Sequence, residues 1–160
     1  MKIIGVIPAR YDSSRLIAKP LLKINNKPLI ELTYNAVSDS GLFDIIYIAT
    51  DSEKIQKVAN HFSGNCILTT KKNRNGTERC AELIRKLDNE INENDLIVNI
   101  QCDEPFLVKS YFQNIIKLFN LNTQIGTLIS PIDEEEFKDS SIVKVKTEKN
   151  LTVIDFTREN

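Results

Sequence analysis

Short apolar runs alternate along the chain with segments whose apolar residues recur every three or four positions. Residues 2–7, closed by Pro8, read as a buried strand, and residues 44–50, 66–69 and 95–100 read the same way. Between them lie helical stripes. One opens at Pro28, carries Leu29, Leu32, Ala36 and Val37, and stops at Gly41. A second follows an Asp51-Ser52 cap with Ile55, Val58, Ala59 and Phe62 on one face. A third, capped by Thr77, carries Cys80, Ala81, Leu83, Ile84 and Leu87. Residues 24–27 predict a turn, 111–121 a helix, 125–131 a strand, and 134–136 a solvated acidic face. Two alternating runs, 142–147 and 151–157, flank Glu148-Lys149-Asn150 and predict a hairpin.

Strands alternating with helices predict an α/β fold: a mostly parallel sheet with helices on both faces, followed here by a C-terminal β-hairpin. Ligands of such sheets bind beyond the carboxyl ends of the strands. That rule selects three loops: residues 8–22, 70–79 and 101–105.

Composition narrows the function classes. The 160 residues suffice for one domain that needs no disulfide or metal staple. With 21 Lys+Arg against 22 Asp+Glu there is no basic excess, which argues against a dedicated nucleic-acid binder. No apolar run approaches the roughly 18 residues of a membrane span. The first residues lack the apolar length and small-residue cleavage site of a signal peptide. Cys66, Cys80 and Cys102 form no CxxC pair, so neither a disulfide framework nor a zinc knuckle is expected. A cytoplasmic protein with reduced thiols is the expectation.

The first loop carries Arg10, Arg15 and Lys19 in one short segment after a buried strand. Converging guanidinium and ammonium groups match the negative charge of a polyphosphate, with Arg offering a planar fork and Lys a point charge. The loop is neither GxxxxGK[ST] nor GxGxxG. A solvated basic loop is the alternative reading. The third loop, Gln101-Cys102-Asp103-Glu104-Pro105, places a carboxylate directly beyond a strand, where Mg²⁺ finds the one or two carboxylates it prefers. Asp103 is the better candidate; a turn or helix cap is the alternative. In the middle loop, Gly76 permits close backbone approach, while Thr77 or Glu78 serves a helix cap. His61 reads as a surface residue. Cys102 has no neighbouring base in the pattern to make it a nucleophile.

Taken in order, Ile7-Pro8-Ala9-Arg10-Tyr11-Asp12-Ser13-Ser14-Arg15-Leu16, Lys19-Pro20-Leu21, Ala49-Thr50-Asp51, Asn75-Gly76-Thr77-Glu78-Arg79 and Gln101-Cys102-Asp103-Glu104-Pro105 resemble the 3-deoxy-manno-octulosonate cytidylyltransferase (CMP-KDO synthetase) family. The likeness runs from Ile7 to about Arg158. The sialic-acid cytidylyltransferases, with a PARGGSKG-type first loop, and the GxGTR-type pyrophosphorylases fit less well.

The resemblance implies a single nucleotidyltransferase domain over residues 1–160, incomplete at its C-terminus. It implies the reaction of CTP with KDO to CMP-KDO and pyrophosphate, with Mg²⁺, for lipopolysaccharide synthesis. It also implies a homodimer in the family. Residue by residue, it assigns Arg10, Arg15 and Lys19 to the phosphates. Pro8 and Ala9, with Gly76 and Thr77 nearby, go to the cytosine and ribose pocket. Gln101 goes to the nucleotide–sugar junction, Asp103 to the metal, and Arg158 to the sugar.

The chain departs from the family pattern at several points. Ile17-Ala18 replaces Pro-Gly, Asn75 replaces Ser, Cys102 replaces the Gly of QGDEP, and Asp155 replaces the Tyr of YFSR. Losing a Gly at Ala18 adds a Cβ where a tight loop needs positive φ. Two alternatives to the CMP-KDO reading stand: a CTP-binding remnant without transfer activity, and a cytidylyltransferase for a related acid sugar.

Overall fold

The computed structural model describes residues 1–12, 16–62, 64–119 and 123–159. The chain divides into two compact units, Met1–Asn122 and Thr123–Asn160, each described by itself.

In the first unit, β1 (Ile3–Ala9), β4 (Ile45–Thr50), β5 (Asn65–Leu68) and β6 (Leu96–Asn99) form one sheet in the order β5-β4-β1-β6. All three pairings are parallel, with Gly5 beside both Ile46 and Val98. Between β1 and β4 come a two-stranded ribbon, β2 (Lys23–Ile24) and β3 (Lys27–Pro28), and helix α1 (Leu29–Asp39). Three more helices follow: α2 (Glu53–Ala59), α3 (Gly76–Lys86) and α4 (Lys109–Phe119).

The strand pleat sorts the core into two layers. On one face, Ile7 and Ala9 of β1 and Ile46 and Ile48 of β4 pack with Ile30 and Val37 of α1, Ile55 and Ala59 of α2, and Phe112 of α4. On the other, Ile4, Val6, Tyr47 and Ala49 meet Cys80 and Leu83 of α3. Buried on both sides, these strands must be apolar at nearly every position. The predicted parallel sheet, helices on both faces and C-terminal hairpin are therefore the observed architecture.

Strand β1 runs two residues past its predicted end, through Pro8 to Ala9. A proline lacks the N–H that an interior ladder requires. Here Val6 accepts from Ile100 N–H, so Val6, and by the pleat Pro8, face the β6 side. Pairing with β6 ends at Val6–Asn99, so Pro8 falls where no ladder bond is owed on that side.

Two turns rest on left-handed backbone. Asn25 and Asn26, at φ 48° and 66°, make the type I′ turn between β2 and β3. Ala18 sits at φ 56°, ψ 26°, where sequence reading anticipated positive φ, and its N–H donates to Tyr11 O at 2.7 Å. An L-residue there is strained by about 1–2 kcal/mol. Glycine removes that strain but loosens the unfolded chain by about 0.4–1 kcal/mol. Ala18→Gly is therefore expected to raise Tm by about 1–4 °C in a thermal melt.

The cap of α3 differs from expectation. Asn75, not Thr77, is the N-cap, and its Oδ1 accepts from Glu78 N–H at 2.8 Å. Gly76 then occupies the first helical position, where a small residue lets the helix start close to the sheet.

In the second unit, residues 123–131 are irregular rather than a strand, and Ile125 is 91% exposed. Strand-forming composition does not suffice where no neighbouring ladder satisfies the backbone. A short helix, α5 (Glu134–Lys138), was not anticipated; Asp133 and Glu136 form a full capping box that starts it. Strands β7 (Lys144–Thr147) and β8 (Val153–Thr157) form the expected antiparallel hairpin. Lys144 is buried, and its ammonium donates to the carbonyls of Asp139 and Arg158 at 2.9 and 3.2 Å.

Candidate functional site

The strand order reverses at β1: the chain builds outward to β4 and β5, then returns to place β6 on the other side. Such a switch point opens a crevice at the carboxyl ends of the central strands. The loops after β1 and β6 emerge there, and α3 brings the middle loop to the same place.

Gly76 records how close the three loops come. A Cβ on it would lie 3.1 Å from Pro8 Cγ and 3.7 Å from Gln101 Nε2. The predicted residues Pro8, at the end of β1, Gly76, at the start of α3, and Gln101, in the loop after β6, are thus neighbours. Thr77 follows on the exposed first turn of α3. Ala9 is adjacent in sequence, but its side chain points into the core. Arg10 is exposed, and its Nη1 donates to Arg74 O at 3.2 Å, joining the first loop to the middle one. Lys19 Nζ lies 2.5 Å from Asp103 Oδ2, joining the first loop to the third. Arg15 lies outside the described residues. Arg158, in the second unit, directs its guanidinium to the carbonyls of Ser140 and Ser141.

The loops are held by groups that sequence reasoning assigned no such role. Arg79 of α3 is 2% exposed and pairs at 2.8 Å with Asp51, which is 9% exposed. Its other amino group donates to Thr69 Oγ1 at 2.5 Å, and Thr69 donates to Thr50 O at 3.0 Å. The second oxygen of Asp51 accepts from Tyr11 N–H at 3.0 Å. One buried ion pair thereby joins the first loop, the end of β4, the end of β5 and α3. A signal existed: Arg79 shares the apolar stripe of Cys80 and Leu83, and a cation on a buried face requires a partner. Lys54 adds an outer hold, with its ammonium 4.9 Å from the centre of the Tyr11 ring.

The third loop is anchored from below. Thr33 of α1, fully buried, donates to Cys102 O at 2.7 Å. The Cys102 side chain is turned into the core, and burial, reinforced by the Asp103 charge, pushes its thiol up to about 12. Such a thiol supplies almost no thiolate at neutral pH.

Burial, with the Asp103 charge beside it, also raises the Glu104 carboxyl above its ordinary 4.5. Well below pH 4.5 it is protonated whether folded or unfolded and has no effect on stability. Above its raised folded value, its charge opposes folding in full. Glu104 as a whole is exposed, and solvent screens this cost, so Glu104→Gln is expected to raise Tm only slightly at pH 7.5, with the gain shrinking as pH falls and gone by about pH 4, by thermal melts at both pH values.

Among the described residues, no three His, Cys, Asp or Glu side chains converge on one point. That excludes a closed protein cage there but suits Mg²⁺, which takes one or two carboxylates and completes its shell with phosphate oxygens and water. Asp103 offers a hard oxygen donor, 48% exposed, at the mouth of the crevice. The donor chemistry fits the ion.

Comparison with known proteins places the chain in a family. Residues 4–160 match the family model described as cytidylyltransferase. The chain belongs to the cytidylyltransferase family. It is 39% identical to the 3-deoxy-manno-octulosonate cytidylyltransferase of Thermodesulfovibrio yellowstonii, covering 99% of this chain and 64% of that one. It is 39% identical to the enzyme of the same name from Parabacteroides distasonis, with 99% and 63% covered. A solved CMP:2-keto-3-deoxy-manno-octonic acid synthetase complexed with CTP superposes with a TM-score of 0.87 at 30% identity, over 99% of this chain and 65% of that one. This cytidylyltransferase chain thus spans somewhat less than two thirds of the length of the relatives it matches. Among its described residues, no helix is long and apolar enough to cross a membrane.

Proposed function

We propose that the chain provides the nucleotide-binding part of a CMP-KDO synthetase, which joins CTP and KDO to give CMP-KDO and pyrophosphate. The observation that carries the reading is the meeting of Pro8, Gly76 and Gln101 at the switch point, with Lys19 and Asp103 beside it. The names of the relatives at 39% identity support the choice of substrates.

In this reaction the anomeric hydroxyl of the sugar attacks the α-phosphorus of CTP. The bond to the β-phosphate oxygen breaks, pyrophosphate leaves, and the hydroxyl proton is lost. No covalent enzyme intermediate is needed. The protein must bring two anions together and hold them in line.

Each site residue takes a part of that task. Arg10, Arg15 and Lys19 bind the triphosphate and neutralise its charge. Pro8 and Gly76 line the cytosine and ribose pocket, with Thr77 and the Ala9 backbone at the edge. The Gln101 amide orients the nucleotide towards the sugar. Asp103 holds Mg²⁺, which when bound stabilises negative charge on the phosphates. The buried Arg79–Asp51 pair keeps the loops in register, so positioning does not have to be organised at the moment of reaction.

A pyrophosphate-release assay with CTP, Mg²⁺ and KDO tests the reading on the chain joined to the segment its relatives carry beyond this length. Turnover with KDO is expected. Turnover with a different acid sugar and none with KDO would reassign the substrate.

A further inference from the structure

We propose that Lys19 and the metal compete for Asp103, so that Lys19 works as a built-in counter-cation that links metal binding to nucleotide binding. The inference rests on the nucleotide-site reading above, and it concerns what Lys19 does before the nucleotide arrives.

The observation is the 2.5 Å contact of Lys19 Nζ with Asp103 Oδ2. Lys19 opens a short 3₁₀ turn, Lys19–Leu21, whose start is fixed by the Ala18 N–H bond to Tyr11 O. Asp103 follows Cys102, whose carbonyl is fixed by buried Thr33. Both backbones are therefore held, and the two charges face each other across the crevice without needing either loop to move.

The side chains are 41% and 48% exposed, so solvent screens the pair and it holds only weakly. A carboxylate whose Oδ2 accepts from an ammonium is a poorer ligand for Mg²⁺, because the ammonium draws on its charge and repels the incoming cation. An ammonium held by a carboxylate is partly neutralised and turned away from a phosphate, although it has three N–H donors. Metal binding at Asp103 frees Lys19, and nucleotide binding at Lys19 frees Asp103. Each ligand thereby removes the competitor of the other, and linkage requires the effect to be reciprocal. The arrangement discourages the bare metal, and the bare nucleotide, from occupying the site alone.

This predicts effects of opposite sign from one substitution, which a merely structural role of Lys19 does not produce. Mn²⁺ alone is titrated into the chain and followed by the EPR signal of the free ion; CTP binding is measured separately by calorimetry with Mg²⁺ present. Lys19→Gln is expected to tighten Mn²⁺ binding in the absence of nucleotide by about two- to five-fold, the range set by a screened surface pair. The same variant is expected to weaken CTP binding by about ten-fold or more, as the loss of a charged hydrogen bond implies. Asp103→Asn, used to locate the ion, is expected to abolish the Mn²⁺ signal change.

Unchanged, weaker or undetectable Mn²⁺ binding by Lys19→Gln overturns the proposal, as does Mn²⁺ binding that survives in Asp103→Asn. Failure of the unsubstituted chain to bind CTP with Mg²⁺ speaks against the nucleotide-site reading itself, so the two failures are separable.

Discussion

Arg79→Met is expected to destabilise the first unit by about 3–5 kcal/mol, the loss that follows when one partner of a buried ion pair is removed. The substitution leaves the Asp51 carboxylate at 9% exposure without its cation, and Thr69 without its guanidinium donor. Domains are stable by only about 5–15 kcal/mol, so this is a large fraction of the total. Urea denaturation measures it directly. Adding Asp51→Leu removes the stranded charge, and the double variant is expected to recover most of the lost stability. Nucleotide affinity is not expected to recover with it. Asp51 is also the acceptor for Tyr11 N–H, and without it the first loop loses its tether beside Arg10. A double variant that regains both stability and CTP affinity would show that the pair serves folding alone.

The second large effect is expected at Asp103. Asp103→Asn keeps the size of the side chain and removes its charge. With Mg²⁺ present, CTP affinity is expected to fall by about 10- to 100-fold, taking about 1.5–3 kcal/mol for a contact to a charged group. With EDTA in place of Mg²⁺, the substitution is expected to have little effect or to strengthen CTP binding, because it releases Lys19. Calorimetric titrations in the two buffers read the difference. Equal losses in both would mean that Asp103 shapes the loop rather than holding an ion.

The parallel sheet was legible because strands buried on both faces leave little choice of residue type: the runs at β1 and β4 are apolar and buried almost throughout, and the shorter runs at β5 and β6 keep an apolar majority at the edges. The positive φ at Ala18 was legible because the residue stands where the family pattern has glycine. What escaped reading depends on partners distant in sequence. The run at 125–131 has the composition of a strand, but a ladder partner decides whether it becomes one. Helix α5 is announced by the Asp133–Glu136 box, a cap signal easily lost among three consecutive glutamates. Thr77 and Asn75 are both good caps, and only the approach of Gly76 to Pro8 fixes where the helix starts. The motifs around Arg10, Lys19, Gly76, Gln101 and Asp103 identified the loops but not their contacts. Arg79–Asp51 joins positions 28 residues apart, and Lys19–Asp103 joins positions 84 apart.

The central claim is that these three loops form one triphosphate site at the switch point of the sheet. The most direct measurement is calorimetric titration of the chain with CTP and with CMP, both in Mg²⁺. Saturable one-to-one binding of CTP, at least ten-fold tighter than CMP and lost in Arg10→Ala, is the predicted result. No binding of CTP, or equal affinity for CTP and CMP, would contradict it.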